Sequence, residues 1–199
     1  MTIKYPAGVK APTAPLKEKK PVKAKRHILS AANRGMVLEN ELNDSCLYYR
    51  EKGMALIYKR PTPINIVKVD YSHGATITQA YFETQSTTDY NGVYKGKYLD
   101  FEAKSTKSKT SLPLNNIAPQ QVDHLEEVIR QSGIAFFIIS IDLLNEVYLI
   151  DAKYICEFYR NKPRASIPVS EIKEKGHLIK EGYHPRLDFL PLVDKLYLQ

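Results

Sequence analysis

Three parts of the chain are predicted to form helices, and in the first two of them apolar residues recur at roughly helical spacing, as expected for a helix that packs on a core. The first covers residues 33 to about 52 and stops at Gly53. The second opens at Pro119, a residue that suits the first turn of a helix, and ends before Gly133. The third is short and runs through Arg160, with Asp151 as its N-cap.

Strand patterns lie between these helices. Residues 134–141 are almost continuously apolar, as expected for a central strand that is covered on both faces. Turn residues at Asn91-Gly92 and Lys95-Gly96 predict a tight connection that pairs the Asp89 segment with the following strand. Further strands are predicted at residues 54–58, 64–71, 80–85 and 147–150. Strands that alternate with helices predict an α/β fold, and residues 185–198 are expected to close the core as helix and loop.

The strand at residues 98–104 alternates strictly between two kinds of side chain. Leu99, Phe101 and Ala103 point to one face, which is expected to be core. Asp100, Glu102 and Lys104 point to the other face, which is the candidate for chemistry.

Composition indicates one globular domain. The chain has 199 residues, of which 43% are hydrophobic and 26% charged, enough for a sizeable core. No apolar run approaches the ~20 residues of a bilayer span, and the N-terminus lacks the apolar stretch of a secretory signal, so a cytoplasmic protein is expected. Cys46 and Cys156 show no metal-site spacing and are expected to be buried free thiols.

The net charge of +7 is carried by the N-terminus. Residues 1–26 hold eight basic residues and one acidic residue, with four prolines and few large apolar side chains. This composition predicts a disordered basic arm ahead of a folded domain at residues 27–199. The arm either contacts a polyanion or only solubilises the protein. Residues 50–109 hold ten basic and six acidic residues, so positive charge also collects around the candidate chemistry.

Two carboxylates and a lysine suggest metal-dependent hydrolysis of phosphodiesters. The predicted strand pairing places Asp89 beside Glu102, and two carboxylates supply the oxygen ligands that Mg²⁺ prefers. Lys104 shares the face of Glu102 and can stabilise charge that develops on the scissile phosphate. The spacing alone is a weak pattern, because glutamate and lysine alternate on many solvent-facing strands.

The surrounding motif blocks are more distinctive, and with them the chain resembles the RecU family of Holliday junction resolvases, within the PD-(D/E)xK nuclease superfamily. The resemblance runs from about residue 33 to the C-terminus. It is carried by Asn33-Arg34-Gly35, Gln85-Ser86-Thr87-Thr88-Asp89-Tyr90-Asn91-Gly92, Asp100-Phe101-Glu102-Ala103-Lys104, Leu114-Asn115-Asn116-Ile117 and Pro119-Gln120-Gln121. Thr88 stands where the superfamily pattern has proline, although the RecU pattern itself accommodates this.

The resemblance implies a fold, an activity and partners. The implied fold is a restriction-endonuclease-like core with a mixed central sheet, flanking helices and a protruding stalk. The implied activity is paired Mg²⁺-dependent incision of four-way DNA junctions by a homodimer, in recombination and repair. Contact with recombinase and branch-migration proteins is a further family-level expectation.

The resemblance also assigns roles to individual residues. It places Thr87, Asp89, Glu102 and Gln121 on metal-binding positions and Lys104 on the transition-state-stabilising position.

The stalk is expected at residues of about 60–80, where prolines and a Gly-containing turn interrupt the strand pattern. Lys59, Arg60 and Lys68 are candidates for phosphate contacts there, and Arg34 is another at the start of the first helix. Glu39 either supports the metal site or is a solvated helix residue.

Two other functions fit parts of the sequence. A non-catalytic junction-binding protein would use the basic arm and stalk, but the intact Asp89, Glu102 and Lys104 argue against it. A general PD-(D/E)xK nuclease would cut linear duplex and junction equally well. A comparison of these two substrates separates the alternatives.

Overall fold

The computed structural model describes residues 34–83 and 87–198, which form an α/β fold around a six-stranded sheet. The helices are α1 (Arg34–Glu51), α2 (Pro119–Arg130), α3 (Ala152–Asn161), α4 (Val169–Lys175) and α5 (Leu190–Tyr197). The strands are β1 (Leu56–Lys59), β2 (Ile64–Asp70), β3 (Thr76–Phe82), β4 (Tyr90–Tyr94), β5 (Lys97–Thr106), β6 (Ser111–Pro113), β7 (Ile134–Ile141), β8 (Glu146–Asp151), β9 (Ser166–Pro168), β10 (His177–Leu178), β11 (Lys180–Glu181) and β12 (Leu187–Asp188).

The main sheet is mixed and has β5 near its centre. Its strand order is β1-β4-β5-β7-β8-β10, in which β5 and β7 are parallel and the other neighbours antiparallel. Side chains of α1 and α5 pack on one face, and those of α2, α3 and α4 pack on the other. The predicted α/β fold class, with a mixed central sheet flanked by helices, is confirmed.

The alternation along β5 is confirmed, and its apolar face lies at the centre of the core. The ring of Phe101 is stacked between those of Tyr90 and Phe136, with ring centroids 4.8 and 4.7 Å apart. The opposite face of β5 is also covered, so that Asp100 is 0% exposed and Glu102 1% exposed. Buried carboxylates require hydrogen-bonding or charged partners, so other parts of the chain must supply partners for Asp100 and Glu102.

A hairpin formed by β2 and β3 makes a separate two-stranded sheet. All of its strand residues except Val69 are exposed, which fits the protruding stalk that was expected. The predicted strand at residues 80–85 was placed too late, because β3 begins at Thr76, opposite Asp70. Residues 84 and 85 lie outside the described part of the chain, as do Asn33 and the basic arm at residues 1–26.

The other predicted helices and strands are found close to their expected positions. Gly133 follows the end of α2, and the Asp151 side chain caps α3 by accepting a hydrogen bond from the Lys153 N–H. Cys46 and Cys156 are buried free thiols, and burial raises the pKa of each to about 12. Among the described residues, no helix has both the length and the apolar character needed to cross a bilayer.

The connection between β4 and β5 differs from the prediction in one respect. The turn is formed by Lys95 and Gly96, whose φ angles of 47° and 76° suit a two-residue hairpin. Asn91 and Gly92 instead lie within β4. Gly92 is required there by the close approach of β1, because a Cβ atom would lie 2.1 Å from the Leu56 carbonyl oxygen.

The substitution Gly92→Ala is expected to lower the free energy of unfolding by about 1–3 kcal/mol, because β1 must move to admit the methyl group. Urea denaturation measures the loss. The neighbouring change Val93→Ala, at an exposed position of β4, should stay within about 0.5 kcal/mol of the parent. Equal stability of the Gly92→Ala variant and the parent would contradict the tight pairing of β1 and β4.

Candidate active site

The carboxylate of Glu102 is the centre of a polar cluster that three parts of the chain assemble. Gln121 Nε2 donates to Glu102 Oε1 over 2.7 Å, and Lys104 Nζ lies 2.8 Å from the same oxygen. The Asp89 N–H donates to Glu102 Oε2 over 3.2 Å. The structure therefore brings together four of the five residues to which the resemblance assigned catalytic or metal-binding roles.

Asp89 lies in the loop just before β4 and is held against β5. Its Oδ2 accepts a hydrogen bond from the Ala103 N–H over 3.2 Å. The register of the antiparallel pair sets Tyr90 opposite Phe101, so Asp89 lies level with Glu102. The predicted juxtaposition of the two carboxylates is confirmed. Thr87, the fifth residue, is partly buried in the same loop, two residues ahead of Asp89.

Gln121 reaches the site because α2 begins beside it. Pro119 occupies the first turn of α2, and Gln121 Oε1 accepts a hydrogen bond from the Ala118 N–H over 3.1 Å. Gln121 thus caps the helix with its oxygen and offers Glu102 its nitrogen. To bind a cation through Oε1, the amide must turn its oxygen toward Glu102.

Glu102 lies in an environment that disfavours its charge. Burial raises its pKa, Lys104 partly offsets this rise, and the nearby Asp89 carboxylate adds to it, so that the pKa of Glu102 is about 8. The carboxylates of Asp89 and Glu102 lie close together, and the single positive charge of Lys104 does not balance both of them. A divalent cation with oxygen ligands fits this donor set.

The donors differ in kind from a site built of three acidic or imidazole ligands. Over the described ranges, no group of three or more His, Cys, Asp or Glu side chains is arranged to hold a metal ion. The candidate set instead combines the carboxylates of Asp89 and Glu102 with neutral oxygens of Thr87 and Gln121. A divalent cation that prefers oxygen can keep several water ligands, so two carboxylates can anchor it.

The raised pKa of Glu102 predicts a pH-dependent stability for the metal-free protein. Because this pKa is about 8 in the folded state and 4.5 ordinarily, the folded chain holds a proton that the unfolded chain releases. Rising pH should therefore lower the free energy of unfolding across this window, with little further change above it. The Glu102→Gln variant has no proton to release at this position, so its free energy of unfolding should rise relative to that of the parent as the pH increases through the same window.

Urea denaturation in EDTA at several pH values between about 5 and 9 measures this difference. A gap between the two proteins that does not change with pH would contradict the burial of an incompletely compensated carboxylate at this position.

The candidates for DNA contact and metal support lie in different surroundings. Lys59 forms an ion pair with Glu39, while Lys68 is exposed on β2 of the hairpin. Arg60 is largely buried, with Nη2 2.6 Å from Asp100 Oδ2. Arg34 begins α1, but its side chain is outside the described part of the structure. DNA contact through these residues stays a prediction, and the pairing of Arg60 favours an internal role.

Sequence reasoning missed the network around Asp100, which adjoins the Glu102 cluster. The Asp100 carboxylate contacts Arg60, Thr88, Tyr98 and His124. The one signal in the sequence was that Asp100 shares the strand face of Glu102. The partners could not be identified from the sequence, because Arg60 and His124 lie 40 and 24 residues away.

Comparison with known proteins gives one family. The family model described as Recombination protein U matches residues 33–195. Two curated relatives, each named Holliday junction resolvase RecU, align over nearly the whole chain. The protein of Geobacillus kaustophilus (strain HTA426) is 48% identical over 202 residues, covering 99% of this chain and 98% of the relative. The protein of Bacillus mycoides (strain KBAB4) is 49% identical over 202 residues, covering 99% of each.

One solved structure is also similar in outline. It is Hjc of Archaeoglobus fulgidus, described as a Holliday junction resolvase from an archaeal hyperthermophile. The alignment covers 72% of this chain and 94% of that chain, with 11% sequence identity and a TM-score of 0.42.

Proposed function

The chain belongs to the RecU family, and from this premise we propose that it is a structure-selective endonuclease that resolves four-way DNA junctions in recombination and repair. The observation that carries the proposal is the cluster of Asp89, Glu102, Lys104 and Gln121, because it joins two carboxylates and a lysine at one buried site. Relatives at about half identity over the whole chain bear the name of that activity.

Mg²⁺ is the proposed cofactor, with Asp89 and Glu102 as its main ligands and oxygens of Thr87 and Gln121 as further candidates. When bound, the ion would neutralise charge on the scissile phosphate and make a water ligand a better nucleophile. Both carboxylates are already held in position in the protein without DNA. Main-chain N–H groups of Asp89 and Ala103 hold one oxygen of each carboxylate, so neither needs to reorganise.

Lys104 is proposed to stabilise negative charge on the phosphate as the phosphodiester bond is hydrolysed. Its ammonium group is held 2.8 Å from Glu102, and its side chain is 16% exposed. A fixed and partly desolvated cation interacts with developing charge more strongly than a mobile lysine in water.

The protein is proposed to act as a homodimer on branched DNA. A C2 dimer places two equivalent sites on two strands of a junction, which accounts for paired incisions. Exposed apolar side chains of the edge strand β1, namely Leu56 and Tyr58, support association through this part of the surface. The same proposal includes DNA contact by the basic arm and the hairpin. It also includes association with recombinase or branch-migration proteins.

Cleavage of a synthetic four-way junction tests this function. We expect resolution into nicked linear duplexes in Mg²⁺ and no products in EDTA. Binding of the junction without cleavage in any divalent metal would favour the non-catalytic alternative. Sedimentation of the active protein should give a dimer, and full activity of a monomer would contradict the proposed symmetry.

A further inference from the structure

The carboxylate of Asp100 is fully buried beside the site but has no part in the proposed hydrolysis. Its Oδ2 lies 2.6 Å from Arg60 Nη2, 2.8 Å from the Tyr98 hydroxyl and 2.9 Å from His124 Nε2. Its Oδ1 accepts a hydrogen bond from the Thr88 hydroxyl. A buried carboxylate with this many partners fixes their positions, because releasing any of them leaves a desolvated charge poorly compensated.

These partners belong to the segments that carry the site. Thr88 lies between Thr87 and Asp89 in the loop before β4, residues 87–89, which we call the catalytic loop. His124 follows Gln121 by three residues on α2, so both side chains project from one face of that helix toward β5. Asp100 itself precedes Glu102 by two residues on the same strand face. The network therefore joins the three segments at points next to Asp89, Glu102 and Gln121.

Arg60 strengthens the connection to the catalytic loop by two further contacts. Its main-chain N–H donates to the Asp89 carbonyl oxygen over 2.7 Å, and its Nη1 lies 3.3 Å from the Thr88 hydroxyl. Arg60 is also the residue after β1 from which the chain leaves the sheet toward the hairpin. The guanidinium thus links β5 to the loop, while the backbone of the same residue holds Asp89.

We propose that Asp100 and Arg60 are positioning residues for the reaction. Through Thr88 and His124, they hold the catalytic loop and the start of α2 against β5, so that the oxygens of Asp89, Glu102 and Gln121 converge on one point. In this role both residues act through their neighbours and not through contact with the DNA or the metal ion. The inference rests on the proposed function, and it names residues that determine the geometry of that site.

The variants Asp100→Asn and Arg60→Lys test this role, because each keeps the approximate shape of the side chain. Asp100→Asn removes the charge of the carboxylate, and Arg60→Lys removes the two-pronged contact of the guanidinium. We expect kcat for junction cleavage to fall about 10–100-fold, the range found when residues that orient metal ligands are changed. The KM for the junction should change less than about threefold. Mn²⁺ binding, followed by the electron paramagnetic resonance signal of the free ion, should weaken about tenfold or more.

Arg186→Ala is the matched control. Arg186 is also a partly buried arginine paired with carboxylates, at 3.0 Å from Glu41 and 3.3 Å from Glu181, and it connects α1 to β11. Its loss should lower stability without changing kcat or Mn²⁺ affinity. In the variant Arg60→Ala, added guanidinium ion should restore part of the lost kcat, whereas equal ionic strength from NaCl should not.

Two results would overturn the proposal. One is a lower unfolding midpoint for Asp100→Asn and Arg60→Lys with unchanged kcat and Mn²⁺ affinity, which would make the network purely structural. The other is a Mn²⁺ affinity that is unchanged in both variants when the wild-type protein itself cuts no junction. If the wild type cuts no junction but the variants still bind Mn²⁺ more weakly, the proposed function fails and the positioning role stands.

Discussion

Replacing Glu102 by glutamine is expected to lower kcat for junction cleavage by about 10³-fold or more, because a metal ion contributes several kcal/mol of transition-state stabilisation. The amide keeps the size of the side chain and removes the charge that anchors the cation beside Asp89. Affinity for the uncut junction in metal-free buffer should stay within about threefold, because Glu102 is buried and offers DNA no contact surface. Single-turnover cleavage and a gel-shift titration give the two values.

Glu127→Gln is the matched control for this substitution. Glu127 is an exposed glutamate on α2 that pairs with Arg130, so its loss changes the net charge equally at a distance from the Glu102 cluster. It should leave kcat unchanged. Cleavage by Glu102→Gln at more than about a tenth of the wild-type rate would remove Glu102 from the mechanism.

Replacing Lys104 by methionine is expected to lower kcat by about 10²–10³-fold, the range found when one preorganised charge-stabilising group is removed. Methionine retains the apolar length of the side chain, so packing beside Glu102 is disturbed little. Because the proposed role concerns charge that develops during the reaction, KM should change much less than kcat.

Lys109→Met provides the comparison for Lys104. Lys109 is exposed in the loop that follows β5, and its loss should weaken junction binding at most slightly. If Lys104→Met instead raised KM and left kcat unchanged, Lys104 would act only as a phosphate contact in the ground state.

The fold and the centre of the site could be predicted from local patterns. Alternation over residues 98–104 gave the core face of β5, and the Lys95-Gly96 turn brought Asp89 level with Glu102. Pro119 and Gly133 marked the limits of α2, which carries Gln121. These predictions were correct because each depends on residues that lie close together in the chain.

Other features depend on long-range packing and could not be predicted. The burial of Asp100 and Glu102 follows from α2 covering a strand face that alternation alone marked only as polar. The pairing of Arg60 with Asp100 joins residues 40 positions apart, which no local pattern reports. Asn91-Gly92 has the composition of a turn, but Gly92 serves the close approach of β1.

The network around Asp100 alters the view of Arg60 in particular. A basic residue before a pair of prolines, at the base of an exposed hairpin, suggested a phosphate contact. Its guanidinium is instead directed inward to a buried carboxylate, while Lys68 lies exposed on the hairpin. The exposed and paired cations of this region therefore have different expected effects on DNA affinity.

Cleavage of a labelled four-way junction in the presence of an equimolar, differently labelled linear duplex of the same sequence tests the central claim most directly. The proposed function predicts Mg²⁺-dependent incisions at symmetric positions in two opposite strands of the junction, while the duplex stays intact. Glu102→Gln should make neither of the two incisions. Equal cutting of duplex and junction, or undiminished junction cutting by Glu102→Gln, would contradict it.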